Sequence, residues 1–524
     1  MGKKFNVTGT CIPEENYMVD ITGKLEQIKV MIDAKEYFII NRGRQYGKTT
    51  TLSQLRHFLA DEYTVISISF EGMDEEEFKN AENFCQTFIR QISRALRFTS
   101  ESIEYKAKWK NSEVKSFAYL SEHITDMCEG KKLVLMIDEV DKASNNRVFL
   151  GLLSVLRAKY LARRDGMDFT FHSVILAGVY DITDIKLRLI KEGFHTPTLG
   201  ETIITNSPWN IAAQFNVDMS FSADEVETML REYEKDHQTG MDIPEIAGEI
   251  FDFTNGYPVL VSNICKRIDE MLSKKWNVDS VHQAVKQILQ EESLLFQSLI
   301  KNLTGDKELY DLVYHIIMND FRLPFNFQVS YINLGYRYGF LKNYNNRVAI
   351  SNRIFEICLT NYFINHGLHD KIKATPLRDT DEKGIIVNGK FNMQVCLEKF
   401  AKYYDEYYAD QDVKFIEIHG RYFVLFFISS ILNGHGFVHL ESQSTDRRKR
   451  DLIVNYFNQQ FIIELKIWRS PKRHQDAFTQ LLGYMDKRGL NEGYLLTFDF
   501  RQKKDLKQEW IDVEGGKKIF NVIV

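Results

Sequence analysis

Residues 37–50 read Tyr-Phe-Ile-Ile-Asn-Arg-Gly-Arg-Gln-Tyr-Gly-Lys-Thr-Thr, and this stretch decides the fold of the first half of the chain. Residues 37–40 predict a strand, and the apolar residues that follow the loop recur at helical spacing. A strand that enters a glycine-containing loop and leaves it as a helix is typical of a parallel sheet. Residues 65–69, 133–137 and 174–177 are further short apolar runs between helical stretches. We therefore predict a parallel sheet covered by helices.

The loop in this stretch has the composition that phosphate binding requires. Glycines let successive backbone N–H groups wrap a phosphate, Lys48 supplies an ammonium for its oxygens, and Thr49 supplies a hydroxyl for Mg²⁺. Arg42 departs from the motif GxxxxGK followed by Ser or Thr, because it stands where the first glycine is expected. All but two of the predicted ATP-site residues, Asp138 and Pro258, come from one run: Gly43, Arg44, Gln45, Tyr46, Gly47, Lys48, Thr49 and Thr50.

A second apolar run, residues 131–137, ends in the carboxylates Asp138 and Glu139. This pattern, called Walker B, predicts that Asp138 holds Mg²⁺ and that Glu139 orients and polarises the water that attacks ATP. The alternative is that both residues cap a buried strand, but the upstream Gly-Lys-Thr loop favours an ATP site. A third strand leads to Tyr180 and Asp181, where a sensor of the γ-phosphate and a plain strand exit are both open.

Residues 5–18 (FNVTGTCIPEENYM), the phosphate loop, residues 177–181 and Gly256-Tyr-Pro258 together resemble the bacterial AAA-like ATPases, which are similar to the AAA+/STAND switch ATPases. The resemblance covers roughly residues 1–365. It implies an ATPase core with a helical lid and a winged helix, a nucleotide contact from Pro258, and a loop that tolerates arginine at its first position. An arginine finger and a solvated pair are both open for Arg163 and Arg164.

The chain of 524 residues is long enough for several packed cores, because single cores stop growing near about 250–300 residues. The winged helix could bind DNA or pack against the ATPase core. The predicted segments are an ATPase core at 1–222, a helical lid at 223–303, a winged helix at 304–367, a linker at 368–384 and a second α/β domain at 385–524.

The C-terminal region carries a second group of charged residues. Residues 451–454 and 461–466 are β-rich runs separated by a short linker, residues 455–460, which predicts a hairpin. Since side chains alternate along a strand, Glu464 and Lys466 share a face, and Asp451 can lie beside them. Carboxylates are favoured Mg²⁺ ligands, so this face predicts metal-dependent hydrolysis. An exposed hairpin edge with an ordinary Glu-x-Lys pair is the alternative.

The surrounding sequence resembles the PD-(D/E)XK nucleases, in which one helix precedes the hairpin and another follows it. The similarity extends over nearly all of residues 385–524, with Arg450 where the motif has proline. Mg²⁺ is the implied metal, and Mn²⁺ could replace it. The resemblance implies a site with two carboxylate ligands and supporting polar groups: Asp451 and Glu464 bind the metal, Lys466 is catalytic, Gln480 supports the site, and Glu441 or Glu417 completes it.

Charge and cysteine content exclude several classes. The formal charge of −5 gives no global basic field, so a nucleic-acid contact must be local. Residues 447–450 (Arg-Arg-Lys-Arg) are such a patch, unless they form a solvated turn. Six scattered cysteines speak against a disulfide framework and a structural zinc site. No apolar run approaches the about 20 residues of a membrane span, so we expect a cytoplasmic protein without a membrane partner.

These observations lead to one main hypothesis, an α/β multidomain protein that acts as a nucleotide-controlled nuclease. The ATPase module would control a metal-dependent domain that cuts DNA or RNA, with DNA favoured. A role in defence against phage or mobile DNA rests on analogy alone. The alternatives are a non-cleaving ATP-dependent regulator or scaffold, and an ATPase motor whose C-terminal domain only binds nucleic acid. Assembly into a homo-oligomer is left open.

Overall fold

The fold is taken from a computed structural model of the chain. It describes residues 2–110, 113–143, 147–178, 209–319, 321–371, 384–408, 417–432, 436–440, 452–457, 459–468, 470–499, 501, 507–513 and 515–524. The chain divides into two compact units. The first comprises residues 1–251, 255–266 and 335–339, and the second comprises residues 252–254, 267–334 and 340–524. The predicted domain limits stay predictions.

In the described part of the chain, the first unit is built on a parallel sheet of four strands in the order β1-β4-β3-β2. The two central strands are buried at every residue, as expected for parallel strands covered on both faces. The α/β class with a parallel sheet is confirmed, together with the four predicted strands. They are β1 (Tyr37–Asn41), β2 (Thr64–Ser69), β3 (Leu133–Asp138) and β4 (Ser173–Gly178).

Helices cover this sheet on both faces. In α3 the buried residues Phe84, Phe88 and Ile92 recur every four positions, so one side of the helix joins the core formed with β3 and β4. A short 3₁₀ turn, Val140–Ala143, follows β3. The helices are α1 (Thr22–Asp33), α2 (Lys48–Phe58), α3 (Ala81–Leu96), α4 (Ile103–Lys110), α5 (Phe117–Cys128) and α6 (Arg147–Arg164).

Arg163, near the end of α6, is held inside the first unit. Its guanidinium donates to the carbonyl oxygens of Phe171 at 2.5 Å and of Lys35 at 2.8 Å, and it lies over the ring of Tyr37. Neither an arginine finger nor a solvated side chain describes this residue. Three carbonyl oxygens and two aromatic rings surround its guanidinium, which makes it part of the packing between α6 and the sheet.

The predicted helical stretch begins at residue 223, where Ser222 and Glu225 form a capping box at the start of the first helix. The expected break near residues 255–258 is present, because Asn255 and Gly256 take left-handed φ values of 46° and 69°. A side chain on Gly256 would lie 1.8 Å from the carbonyl oxygen of Phe221. The helices are α7 (Ala223–His237), α8 (Ile243–Thr254), α9 (Pro258–Glu270), α10 (Val278–Gln290) and α11 (Leu294–Thr304).

The next segment contains helices α12 (Lys307–Asn319) and α13 (Ser330–Arg337), an antiparallel hairpin of β5 (Leu341–Tyr344) and β6 (Arg347–Ile350), and α14 (Arg353–Lys371). This is the element order expected of a winged helix, and the name stays a prediction. Helix α14 continues through Lys371, so the first residues of the predicted linker are helical. Residues 368–371 contain neither proline nor glycine to end the helix.

The C-terminal region begins with a two-stranded ribbon, β7 (Ile386–Val387) and β8 (Lys390–Phe391), followed by α15 (Met393–Tyr408) and α16 (Glu417–Leu432). Among the described residues that follow, six strands form a mixed sheet in the order β13-β14-β12-β11-β10-β9. Helix α17 (Pro471–Arg488) connects the parallel strands β11 and β12. The strands are β9 (Gly436–Leu440), β10 (Leu452–Tyr456), β11 (Gln459–Ile467), β12 (Glu492–Phe498), β13 (Lys507–Val513) and β14 (Lys517–Ile523).

The hairpin β10–β11 is confirmed, but the predicted linker over residues 455–460 is wrong. Asn455 pairs with Gln460 within the ladder, and the Gln460 Nε2 donates to the Asn455 Oδ1 at 2.9 Å. Phe457 has a φ of 46°, the left-handed conformation that a tight hairpin turn requires. Residues 455–460 contain no glycine, so no local pattern predicts so short a turn.

The two faces of the C-terminal sheet are covered by different helices. Ile453, Ile462, Leu495 and Ile519 face α17, where Ala477, Leu481 and Met485 complete an apolar cluster. On the other face, Phe498 packs against Phe400 and Tyr404 of α15. A side chain on Gly420 of α16 would come within 2.3 Å of the Phe498 ring. The helices predicted before and after the hairpin are therefore present, one on each face.

Of the helices in the described part of the chain, none is both long enough and apolar enough to cross a bilayer. All six cysteines are free thiols, four of them buried.

Candidate functional site

The phosphate loop connects β1 to α2. Gly47 caps the start of α2 with a φ of 76°, and Gln45 has a φ of 58°, so the loop uses the left-handed conformation twice. Glycine takes it without strain, whereas glutamine does so at some cost. The N-terminus of α2, with its free N–H groups and partial positive charge, thus follows directly from the carboxyl end of a buried strand. This is a geometry that binds phosphate.

Lys48 lies inside the loop. Its ammonium donates to the carbonyl oxygens of Arg42 and Gly43, each at 2.9 Å, and the residue is only 9% exposed. Burial lowers the pKa of Lys48, and the nearby carboxylates, Asp141 first and then Glu139, oppose that shift. The loop therefore holds a desolvated cation beside several acids.

Two residues predicted from separate motifs meet at this point. The Thr49 hydroxyl donates to the Asp138 carboxylate at 2.6 Å. Strands β1 and β3 both flank β4 in a parallel sheet, so their carboxyl ends lie at the same edge. Glu139 follows with a φ of 54°, and burial, together with the charge of Asp138, raises the pKa of its carboxyl. A hydroxyl and two acids are thus grouped beside Lys48.

Tyr46 contributes its side chain to packing. Its hydroxyl lies 2.8 Å from the Ser220 hydroxyl, and burial raises the pKa of Tyr46 to about 12. The rings of Tyr46 and Tyr257 pack edge to face, with their centroids 4.7 Å apart. The Tyr257 hydroxyl donates to the carbonyl oxygen of Arg44 at 2.8 Å. The side chain of Tyr46 is therefore used in packing, which leaves its backbone for a phosphate.

The last two predicted contacts, Thr50 and Pro258, lie next to the start of α2. The Thr50 hydroxyl accepts a hydrogen bond from the Cys11 amide at 3.2 Å, which ties the N-terminal segment to the loop. Pro258 lies beside Gly47, since a Cβ on Gly47 would be 3.8 Å from two carbons of that ring. All the predicted ATP contacts are therefore grouped around one loop.

The structure explains the departure at Arg42. Its guanidinium donates to the carbonyl oxygens of Asn41 at 3.0 Å and Val217 at 3.3 Å, and it lies over the ring of Phe215. The close approach occurs one residue later, because a Cβ on Gly43 would be 2.6 Å from the carbonyl oxygen of Tyr338. A glycine is needed at the second position, and arginine is accommodated at the first.

The second candidate site lies on β11. Ile462, Glu464 and Lys466 are spaced two residues apart on β11, so they share one face of the sheet. Ile462 packs against α17, so this is the face that α17 covers. Glu464 is fully buried, and the Lys466 ammonium contacts its carboxylate. Gln480 belongs to α17, and its Oε1 is buried without a hydrogen-bond partner in the described part of the chain.

Several predicted residues lie outside the described residues: Asp451, Glu441, Tyr180, Asp181, residues 447–450 and the side chain of Glu417. Leu452, which follows Asp451 in the sequence, pairs with Ile463. Among the described residues, no three His, Cys, Asp or Glu side chains are grouped as a metal site would group them.

Comparison with known sequences identifies the first part of the chain. A profile of the AAA-like domain matches residues 36–363. The chain belongs to this AAA-like domain family. The match begins just before β1, ends within α14 and leaves out the C-terminal sheet. Membership supports ATPase function for the AAA-like domain, and no curated protein matches the chain.

Solved structures with a similar chain course are remote. A Walker-type ATPase of Pyrococcus abyssi is 13% identical, covers 68% of this chain and 99% of its own, and has a TM-score of 0.44. The ORC2 protein of Aeropyrum pernix, in ADPNP–ADP complexes, is 13% identical, with coverages of 65% and 94% and a TM-score of 0.35. The ORC1 protein of Aeropyrum pernix, in complex with DNA, is 11% identical, with coverages of 66% and 93% and a TM-score of 0.27.

The AAA-like domain holds an acid that the sequence analysis missed. A Cβ on Gly178, at the end of β4, would lie 2.8 Å from the Asp141 Oδ1. Among the nearby acids, Asp141 also does most to raise the pKa of Lys48 against the effect of burial. The signal was the run Asp138-Glu-Val-Asp141, which carries a third carboxylate beyond the two that the Walker B pattern names.

Two missed residues lie near Lys466. Thr497 of β12 is its partner in the parallel ladder and is fully buried. The Thr497 hydroxyl lies 3.5 Å from the His474 Nδ1 at the start of α17, and burial, with the charge of Lys507, lowers the pKa of His474. No local sequence pattern distinguishes either residue, because each is brought there by the crossover from β11 to β12.

Proposed function

We propose that the chain is a nucleotide-controlled, metal-dependent nuclease. The AAA-like domain binds and hydrolyses ATP, with residues 223–303 as a lid and 304–367 as a winged helix. Residues 385–524 form a PD-(D/E)XK-type domain that cleaves the phosphodiester bonds of DNA or RNA, with DNA favoured. The observation that carries the proposal is the 2.6 Å contact between Thr49 and Asp138, which joins the two halves of an ATP site.

The nucleotide site has the donors that an ATP-bound Mg²⁺ needs. The Thr49 hydroxyl and the Asp138 carboxylate are hard oxygen donors in contact with each other, which fits this cation. The metal would neutralise charge on the phosphates. The Lys48 ammonium, now bonded to two loop carbonyls, would exchange them for phosphate oxygens. Glu139 would hold the attacking water, and burial, with the charge of Asp138, raises the pKa of its carboxyl, which makes it a better proton acceptor.

The nuclease assignment is supported by the burial of Glu464. A buried, ionised carboxylate is costly unless a cation or a metal pairs with it, and Lys466 contacts Glu464 here. Asp451 comes directly before Leu452, which pairs with Ile463, the residue before Glu464. This position supports the assignment of Asp451 as a second ligand. A bound Mg²⁺ or Mn²⁺ would activate a water and stabilise negative charge on the phosphate. Lys466 would place a positive charge near the activated water. Gln480 would support the site with its amide from α17, and Glu441 would complete the set of metal ligands.

Contacts within the second unit support control of this domain by the preceding helices. The Lys286 ammonium of α10 lies 4.5 Å from the centroid of Phe457, at the turn between β10 and β11. Helix α14 packs against α16 and β9. Movement of α10 would therefore shift the turn of the hairpin that carries Glu464. Movement of α14 would shift β9, which pairs with strand β10 of the same hairpin. This supports conformational coupling, since a ligand shifts an equilibrium only by its different affinities for two states.

The nucleotide half is tested by titration calorimetry on two variants. Lys48→Ala should lose ATP binding because the phosphate charge partner is removed. Glu139→Gln should bind ATP normally and hydrolyse it slowly, because only the water-polarising carboxylate is changed. Normal ATP affinity in Lys48→Ala would remove the phosphate-loop assignment.

The nuclease half is tested with plasmid DNA and RNA in Mg²⁺ or Mn²⁺, with and without ATP. Glu464→Gln and Lys466→Met should abolish cleavage while the ATPase rate is retained. Glu509→Gln is the matched control, because Glu509 belongs to the outer strand β13 of the same sheet and is about half exposed. Nucleic-acid binding without cleavage by the wild type would favour the motor reading, and neither binding nor cleavage would favour the regulator or scaffold. Cleavage that survives Glu464→Gln would refute the site.

A further inference from the structure

A groove runs along β2 on the first unit. Within the described residues β2 is an outer strand of the parallel sheet. The groove has a volume of about 940 Å³. One wall is the end of α2, with Arg56 and His57, and the other is the end of α3, with Gln91 and Arg94. None of the phosphate-loop residues lines it, so it is separate from the nucleotide site.

The floor of the groove is the free edge of β2. The amides of Thr64 and Phe70 donate to Lys132 and Asp138, at 3.1 Å each, so the even-numbered residues bond to β3. In a parallel ladder, the main-chain N–H and C=O groups of the residues in between point away from the neighbouring strand. On β2 these residues include Val65 and Ser67. Both line the groove. Their N–H and C=O groups have no strand partner in the described part of the chain, and such an edge is a template for another strand.

The walls add groups that fit an extended peptide. The Gln91 Oε1 is buried and has no hydrogen-bond partner among the described residues. A side-chain amide in this position can bond to the main chain of an added strand. Phe98, which lines the same groove, is 84% exposed and offers an apolar contact. A buried acceptor without a donor costs free energy, and rotation of the Gln91 side chain toward the groove would let an added strand supply that donor.

The charge of the walls selects the occupant. Arg56 and Arg94 are permanent cations, His57 lies beside Arg56, and Asp61 is the acid among the lining residues. The excess of positive charge favours acidic side chains. Main-chain groups on β2 repeat every second residue, about 6.8 Å apart, which is also the repeat of an extended peptide.

We propose that this groove binds an extended acidic segment of a partner protein, which adds as a further strand beside β2. Main-chain bonds to Val65 and Ser67 supply the common part of the affinity, and Gln91 bonds to the same segment. Alternate side chains of the segment face Arg56 and Arg94, which supplies the selectivity. Because β2 pairs with β3, whose last residue is Asp138, the added strand would extend the sheet that carries the ATP site.

The test is fluorescence polarisation on the full chain with a labelled peptide that alternates valine and glutamate. A peptide with lysine in place of glutamate is its control. Ser67→Pro removes an outward N–H without breaking the β2–β3 ladder, and Ser67→Ala removes only the hydroxyl. The acidic peptide should bind, with roughly tenfold weaker binding to Ser67→Pro or Arg94→Glu and unchanged binding to Ser67→Ala. Hydrogen exchange at the Val65 and Ser67 amides should slow when it binds.

Normal ATP binding in each variant shows that the first unit has folded, so a loss of peptide binding then reports on the groove. Equal binding by Ser67→Pro and wild type, equal binding of the lysine peptide, or no binding of either peptide at millimolar concentration would overturn the proposal. A wild-type chain that self-associates in sedimentation and becomes monomeric with Ser67→Pro would assign the groove to a second copy, and would also overturn it.

Discussion

Gly43 stands one residue after the position where the phosphate-loop motif has its first glycine, and alanine at position 43 tests why glycine is needed there. The added Cβ would lie 2.6 Å from the carbonyl oxygen of Tyr338, whereas ordinary contacts begin at 3.4 Å. The two segments must therefore separate by about 0.8 Å. The Cβ is fixed to the main chain, and the atoms of Tyr338 that it meets are main-chain atoms, so neither side can rotate away. Overpacking of this kind costs about 1–3 kcal/mol.

The consequence should reach the nucleotide site, since the Lys48 ammonium is bonded to the carbonyl oxygen of Gly43. Gly43→Ala should lower the midpoint of thermal unfolding and weaken ATP binding, by about tenfold for each 1.4 kcal/mol of strain that binding must restore. Gly248→Ala is the matched control. Nothing lies within 4 Å of a Cβ there, and alanine is favoured over glycine in a helix by about 1 kcal/mol.

The measurements are thermal unfolding and titration calorimetry with a slowly hydrolysed ATP analogue, on the wild type and both variants. The control should unfold at a higher temperature and bind the analogue normally. If Gly43→Ala unfolds at or above the wild-type temperature with unchanged affinity, the close approach of Tyr338 is not what requires glycine. The explanation for the displaced motif glycine would then be wrong.

Further predictions follow from the same contacts. Arg42→Gly, which restores the motif, should lower the unfolding midpoint by removing two carbonyl bonds worth about 1 kcal/mol each, and a stabilised variant would contradict this. Burial and nearby cations lower the pKa of His172 to about 4 from 6.5, so the unfolded chain binds a proton that the folded chain does not. Stability should therefore fall as the pH drops from about 6.5 to about 4, and His172→Gln should flatten that fall in pH-dependent unfolding. Gly420→Ala should destabilise the C-terminal sheet by about 1–3 kcal/mol through its clash with Phe498, while ATP affinity stays unchanged. In Lys48→Ala the cleavage rate and the sedimentation coefficient should be the same with no nucleotide, ADP or the analogue, whereas the wild type should differ among them, and an unresponsive wild type would refute nucleotide gating.

Much of the nucleotide site could be predicted because its chemistry lies in short contiguous runs. Gly47, Lys48 and Thr49 stand together in a loop between a strand and a helix, and Asp138 ends a strand of apolar residues. Local spacing is enough to identify such runs, since backbone geometry and side-chain chemistry are specified by neighbouring residues. The same holds for Glu464 and Lys466, because period-2 alternation put them on one face before the strand order was known.

The sequence by itself determined the four strands of the parallel sheet, the C-terminal hairpin and the types of residue at each site, because hydrophobic period and loop chemistry are local. Only the tertiary structure decided that Tyr338 requires glycine at position 43, that Asp141 approaches Gly178, and that Thr497 pairs with Lys466. These contacts join residues far apart in the chain. Their positions depend on strand order, crossover and packing, which arise when separate elements bury their apolar faces together, and no local pattern carries that information.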